Sequence, residues 1–84
     1  MPYTYRLIRL APGSYDVELE GEIVASLVRG GSRGHHSVPW YAELLDETGP
    51  PPAPFTDAVH EFASFDEAAA WLGHPDVVLL ERLA

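Results

Sequence analysis

Between Tyr15 and Glu20 apolar and acidic residues alternate without a break, with Tyr15, Val17 and Leu19 on one parity and Asp16, Glu18 and Glu20 on the other. A period of two predicts a strand with one buried side and one wet side. Glu20-Gly21-Glu22 reads as a tight turn, its glycine suited to the positive-φ position of a short hairpin. Ile23 to Val28 is apolar on both parities, as in a strand that is covered on both faces or lies centrally. Upstream, Tyr3 to Leu10 is aromatic and aliphatic and runs into Ala11-Pro12-Gly13-Ser14, a strand followed by a turn. Downstream, Val38 to Leu45 predicts a strand with Trp40, Ala42 and Leu44 on one side and Tyr41, Glu43 and Leu45 on the other. Pro39 places the start of that strand at a sheet edge. Ala58 to Ala63 reads as a further, weaker strand.

The pattern then changes period. Ser64-Phe65-Asp66-Glu67 has the form of a capping box, and its two acids sit where the helix dipole is positive. Phe65, Ala68, Ala69 and Leu72 share one helical stripe, with Trp71 at its border. Gly73 and Pro75 end the run, so a short helix is predicted over about 64–73. Residues 76–84 fit a final strand or a last helical turn, and Val77-Val78 tips the reading to a strand over 76–83. The expected fold is a single α+β domain over residues 1–84, an antiparallel sheet of three to five strands packed against one C-terminal helix.

Composition narrows the function more by exclusion than by indication. The chain has 84 residues and no cysteine, which excludes disulfides and thiolate metal sites. The start, Met1 to Arg6, has no secretory pattern and no apolar run reaches membrane-spanning length, so a soluble cytoplasmic protein is expected. Thirteen acids face five arginines for a net charge of −8. Direct nucleic-acid binding and attraction to anionic lipid are therefore not expected, whereas a basic protein or nucleoprotein partner is.

Chemistry-bearing motifs are sparse. His35, His36, His60 and His74 lack the one-turn helical spacing of a zinc site, and no metal or cofactor is expected. No nucleophile elbow is present and the paired carboxylates lie along a wet strand, so enzymatic activity is not expected. Gly30-Gly31-Ser32-Arg33-Gly34 lacks the Gly-Lys-Ser/Thr ending of a phosphate loop. Even so, Arg29, Arg33, His35 and His36 form a cationic segment on an acidic protein and are candidate anion contacts. Pro50-Pro51-Pro52-Ala53-Pro54 has no flanking base and reads as a stiff connector.

The acidic row is the leading candidate surface. Asp16, Glu18 and Glu20 stand about 6.8 Å apart along one strand face. Glu22 extends the row beyond the turn, Glu43 and Glu61 are candidates to join it from other strands, and Tyr41 and Trp71 are candidate aromatic anchors. The order of hairpin, third strand and then Phe62-Ala63-Ser64-Phe65-Asp66-Glu67-Ala68-Ala69-Ala70-Trp71-Leu72 resembles, in outline, the arm-type DNA-binding modules of tyrosine recombinases, over roughly residues 15–73. The resemblance implies three strands packed on a helix. Those modules present arginine and lysine to DNA, where this chain presents Asp16, Glu18 and Glu20, so no DNA contact is carried over. The leading expectation is a small non-enzymatic protein-interaction module working through Asp16, Glu18, Glu20, Glu22, Tyr41 and Glu43. Its alternatives are a phage-type nucleic-acid mimic that inhibits nucleases or CRISPR complexes, and a small-anion binder at the Arg29–His36 loop. A homodimer through an edge strand is compatible with each.

Overall fold

The strand marked by alternation between Tyr15 and Leu19 lies inside a six-stranded mixed sheet, accompanied by one short helix. The computed structural model describes residues 4–30, 38–46 and 48–80. The elements run β1 (Tyr5–Ala11), β2 (Ser14–Leu19), β3 (Glu22–Arg29), β4 (Trp40–Leu44), β5 (Val59–Phe62), α1 (Phe65–Trp71) and β6 (Asp76–Leu79). Across the sheet the order is β5-β4-β3-β2-β1-β6. The first five strands form an antiparallel meander, and β6 returns to pair parallel with β1.

Three expectations about the sheet are corrected. It has six strands rather than three to five, and it is larger than the three strands implied by the recombinase-module resemblance. It is mixed, because the chain crosses through α1 from the β5 edge to the opposite edge and arrives there running the same way as β1. The proline-marked strand β4 is interior, between β5 and β3. Pro39 lies just before it and loses no ladder bond, and its carbonyl accepts the Gly30 N–H at 2.7 Å.

Turn chemistry sets the β2–β3 register. Glu20 and Gly21 both have positive φ, at 53° and 86°, as a two-residue hairpin of the type I′ family requires. A bulge follows, because Val17 pairs with Ala25 while Glu18 pairs with Ile23. Val24 is the extra residue.

One face of the sheet is covered by α1 and by the proline-rich segment. Tyr5, Leu7, Val17, Leu19, Ala25, Leu27, Ala42 and Phe62 supply the sheet side of the core, and Phe55, Ala68 and Leu72 close it. The Tyr5 hydroxyl donates to the Ala53 carbonyl at 2.7 Å, tying the proline-rich segment to β1. Trp71 packs on Phe55, Phe62 and His60 with ring centroids 4.8, 4.9 and 4.7 Å away. It is part of this covered layer, which corrects its reading as an exposed anchor.

The helix begins where expected. The Ser64 hydroxyl accepts the Glu67 N–H at 3.1 Å, and Ala68 and Leu72 of the predicted stripe are buried. We expect Ser64→Ala to cost about 1 kcal/mol, read as a lower urea midpoint with an unchanged slope. The final strand ends at Leu79, one residue before the described Leu80, which shortens the expected strand, and residues 81–83 of that expectation lie outside those described.

Candidate functional site

In a sheet, residues paired across strands share a face and successive residues alternate. Register therefore sorts every strand side chain. Asp16 pairs with Ser26 and with Ile8, and Ser26 pairs with Glu43. Glu43 pairs with Val59, while Tyr41 pairs with Val28 and Glu61. Glu18 pairs with Arg6, which pairs with Asp76. These residues line the face opposite the helix, which we call the open face. Five of the six strand acids lie there: Asp16, Glu18, Glu43, Glu61 and Asp76. Asp16 and Glu43 are two strands apart in one row, about 10 Å at ordinary strand spacing.

The open face is acidic and partly apolar. Ile8 is only 5% exposed, Val28, Tyr41 and Val78 are half-buried, and Val59 is 50% exposed. Tyr41 lies close over Gly30, where a Cβ would stand 2.6 Å from the Tyr41 Cε2. A side chain at Gly30 would displace the ring.

Arg6 is the basic strand residue of this face, and it engages one acid. Its Nη2 donates to Glu18 at 2.9 Å to Oε2 and lies 2.8 Å from Oε1. The Glu18 side chain is 16% exposed. Glu18 is thus a paired carboxylate rather than a free member of the row, and Arg6 Nε is buried without a partner.

Two other members of the expected row leave it. Glu20 sits in the hairpin turn with positive φ. Glu22 pairs with Leu19, on the helix side, because the Val24 bulge changes the parity of β3. Asp16, Glu18, Glu43 and Tyr41 do share the open face. Arg6, Asp76 and the half-buried Val28 were not singled out by the sequence. Arg6 carried a signal, a base on a strand beside an acidic one, whereas Asp76 joins the face only through the long-range β1–β6 pairing.

The cationic candidates divide. Arg29 is exposed at the end of β3, while Arg33, His35 and His36 lie outside the described residues. His60 Nε2 accepts the N–H groups of Thr56 and Asp57, both at 3.1 Å. The proton of the neutral ring is therefore on Nδ1, and His60 is a structural acceptor. Among the described residues no group of three or more histidine or acidic side chains is placed to hold a metal ion. Nor is any described helix long and apolar enough to cross a membrane.

Off this face, Asp46 is held below the ordinary aspartate pKa, first by the Thr48 hydroxyl at 2.6 Å and then by the Thr48 N–H at 2.9 Å. A lowered folded value means that its contribution to stability is present above the ordinary aspartate value. That contribution is lost as the pH falls through the lowered one. Thr48→Val removes the larger cause, so the Asp46 carboxyl should titrate at higher pH in a carbon-detected NMR titration.

No protein-family model matches this chain, and no curated protein or solved structure matches it significantly.

Proposed function

We propose that this chain is a non-enzymatic protein-interaction module that holds a basic partner on the open face of its sheet. The supporting observation is the sorting of charge by register. Five of six strand acids lie on the face that the helix leaves uncovered, with Arg6 as its basic strand residue. Like charges brought near one another on a sheet cost stability, so such a face is costly to keep and well matched to a cationic surface. Half-buried Val28, Tyr41 and Val78 between the acids provide apolar area that desolvates when covered.

The matching partner is amphipathic, with arginine or lysine set among aliphatic side chains. Complementary charge speeds encounter and fixes orientation, and apolar contact lengthens the lifetime of the complex. The binding should weaken with salt over the range in which the Debye length falls from about 10 Å to a few ångström.

An amide-shift titration with a synthetic amphipathic leucine–lysine helical peptide tests this reading. Saturable, salt-sensitive shifts centred on Asp16, Ser26, Tyr41, Glu43 and Glu61 support it. Shifts centred instead on the Glu20–Glu22 turn, the 48–57 segment or the helix overturn it.

A further inference from the structure

The register that gathers acids on the open face leaves arginines on the other. Arg9 pairs with Tyr15 and Tyr15 with Leu27, which places Arg9 on the helix side of the sheet. Arg29 lies two residues beyond Leu27 and so faces the same way. Their Cα atoms are about 12 Å apart, two strand spacings across and two residues along. Among the described residues neither has a carboxylate partner. On this side of the sheet the one strand acid is Glu22, at the opposite end of β3 from Arg29. The helix contacts β4 and β5, and its Phe65 ring packs on Tyr15 of β2 with centroids 4.9 Å apart.

A concavity of about 330 Å³ opens here, lined by Arg9, Leu10, Pro12, Leu79 and Leu80 among others. Its walls are aliphatic and its one charged lining residue is Arg9. Leu10 and Leu80 are 42% and 49% exposed, so apolar surface stands uncovered beside the guanidinium. Arg29 stands outside this lining, against Gly13 of the β1–β2 turn. A Cβ at Gly13 would lie 3.3 Å from both its Cβ and its Nε, so its side chain runs over the β1–β2 turn that carries Pro12.

From this juxtaposition we infer a binding site for a small organic anion, with a phosphate or carboxylate head between Arg9 and Arg29 and an apolar body against Leu10, Leu79 and Leu80. Arginine presents a planar fork of donors that matches either oxyanion. The volume is at the lower end of the range of small-molecule pockets. A small ligand is favoured over a long polyanion because the net charge of −8 repels an extended chain of phosphates, whereas one head group meets mainly the local pair of arginines. Both arginines are on the side of the sheet away from the acidic surface, so the site stands or falls independently of the proposed partner.

The test is an amide-shift titration of the full chain with phenyl phosphate, octanoate and inorganic phosphate. Saturable shifts confined to Arg9–Gly13, Arg29 and Leu79–Leu80 are expected with phenyl phosphate or octanoate. Inorganic phosphate, which lacks the apolar body, should bind more weakly by roughly an order of magnitude. Arg9→Gln and Arg29→Gln should each weaken binding at least about fivefold. Arg6→Gln, on the open face, should leave it unchanged. Native peak dispersion in each variant establishes that it is folded, and Arg29, exposed at a strand end, provides the variant least coupled to folding. Absence of saturable shifts with both organic probes overturns the site. So does wild-type affinity in both arginine variants, or inorganic phosphate binding as tightly as phenyl phosphate.

Discussion

Leu7→Ala is expected to lower the stability of the chain by about 3–5 kcal/mol. Leu7 has no exposed surface and lies in the centre of β1, between Val17 of β2 and Val77 of β6. Shortening it leaves a cavity that neither neighbour can fill, because both strands are held by ladder bonds. In a domain of this size the loss corresponds to a drop in Tm of roughly 15–30 °C. A large share of the total stability of so small a fold would disappear. Leu7→Met, which keeps the volume, should cost less than about 1.5 kcal/mol. Parallel thermal and urea denaturation of the two variants checks the pair. Equal losses would mean that the site is sensitive to shape rather than to a cavity.

Trp71→Ala is the second large loss, about 3 kcal/mol, with an effect that spreads beyond the helix. The indole packs on Phe55, Phe62 and His60. His60 in turn accepts the amide protons of Thr56 and Asp57. Removing the indole therefore frees the ring that anchors the segment leading into β5. Hydrogen exchange at Thr56 and Asp57 should accelerate by more than the global destabilisation accounts for. Trp71→Phe should restore most of the stability and the protection. If exchange at those two amides follows the global loss alone, the indole does not act through His60.

The local parts of the fold were readable because local physics decides them. Alternation at Tyr15–Leu19, the turn at Glu20-Gly21 and the Ser64 cap each fix a few residues by their own chemistry, and the α+β class follows from them. The sixth strand was ambiguous for a corresponding reason. Val77 and Val78 favour an extended chain, but pairing with Arg6–Arg9 closes a loop of some 70 residues, which no short-range pattern announces. Pro39 misled because a proline before an interior strand and one on an edge strand look alike in sequence.

The candidate surface was legible to the same depth. Asp16 and Glu18 followed from parity and Glu43 from its own strand, so their shared face needed only the order of the strands. Glu22 was misplaced because a bulge is a register property, and Val24 has nothing in its side chain to advertise one. The pairing of Glu18 is hidden in the sequence because its partner, Arg6, lies in a strand whose register no local pattern sets. Trp71 was read as an anchor because a residue at the border of a helical stripe can face either way. Of the neighbours that settle its position, Phe55 comes from a connector with no periodicity and His60 from β5, the weakest of the strand signals.

The central claim, that the open face is the working surface, is tested most directly by affinity capture from a lysate of the source organism with three versions of the chain. These are the wild type, the open-face variant Asp16→Lys, Glu43→Lys, Glu61→Lys, and a charge-matched control, Glu22→Lys, Asp57→Lys, Asp66→Lys, altered away from that face. Circular dichroism confirms that each is folded. The account predicts that a basic protein identified by mass spectrometry is retained by the wild type and the control, and is lost at least tenfold from the open-face variant, on the order of 1.4 kcal/mol or more. Retention of that protein by the open-face variant, or equal loss from both variants, would contradict it.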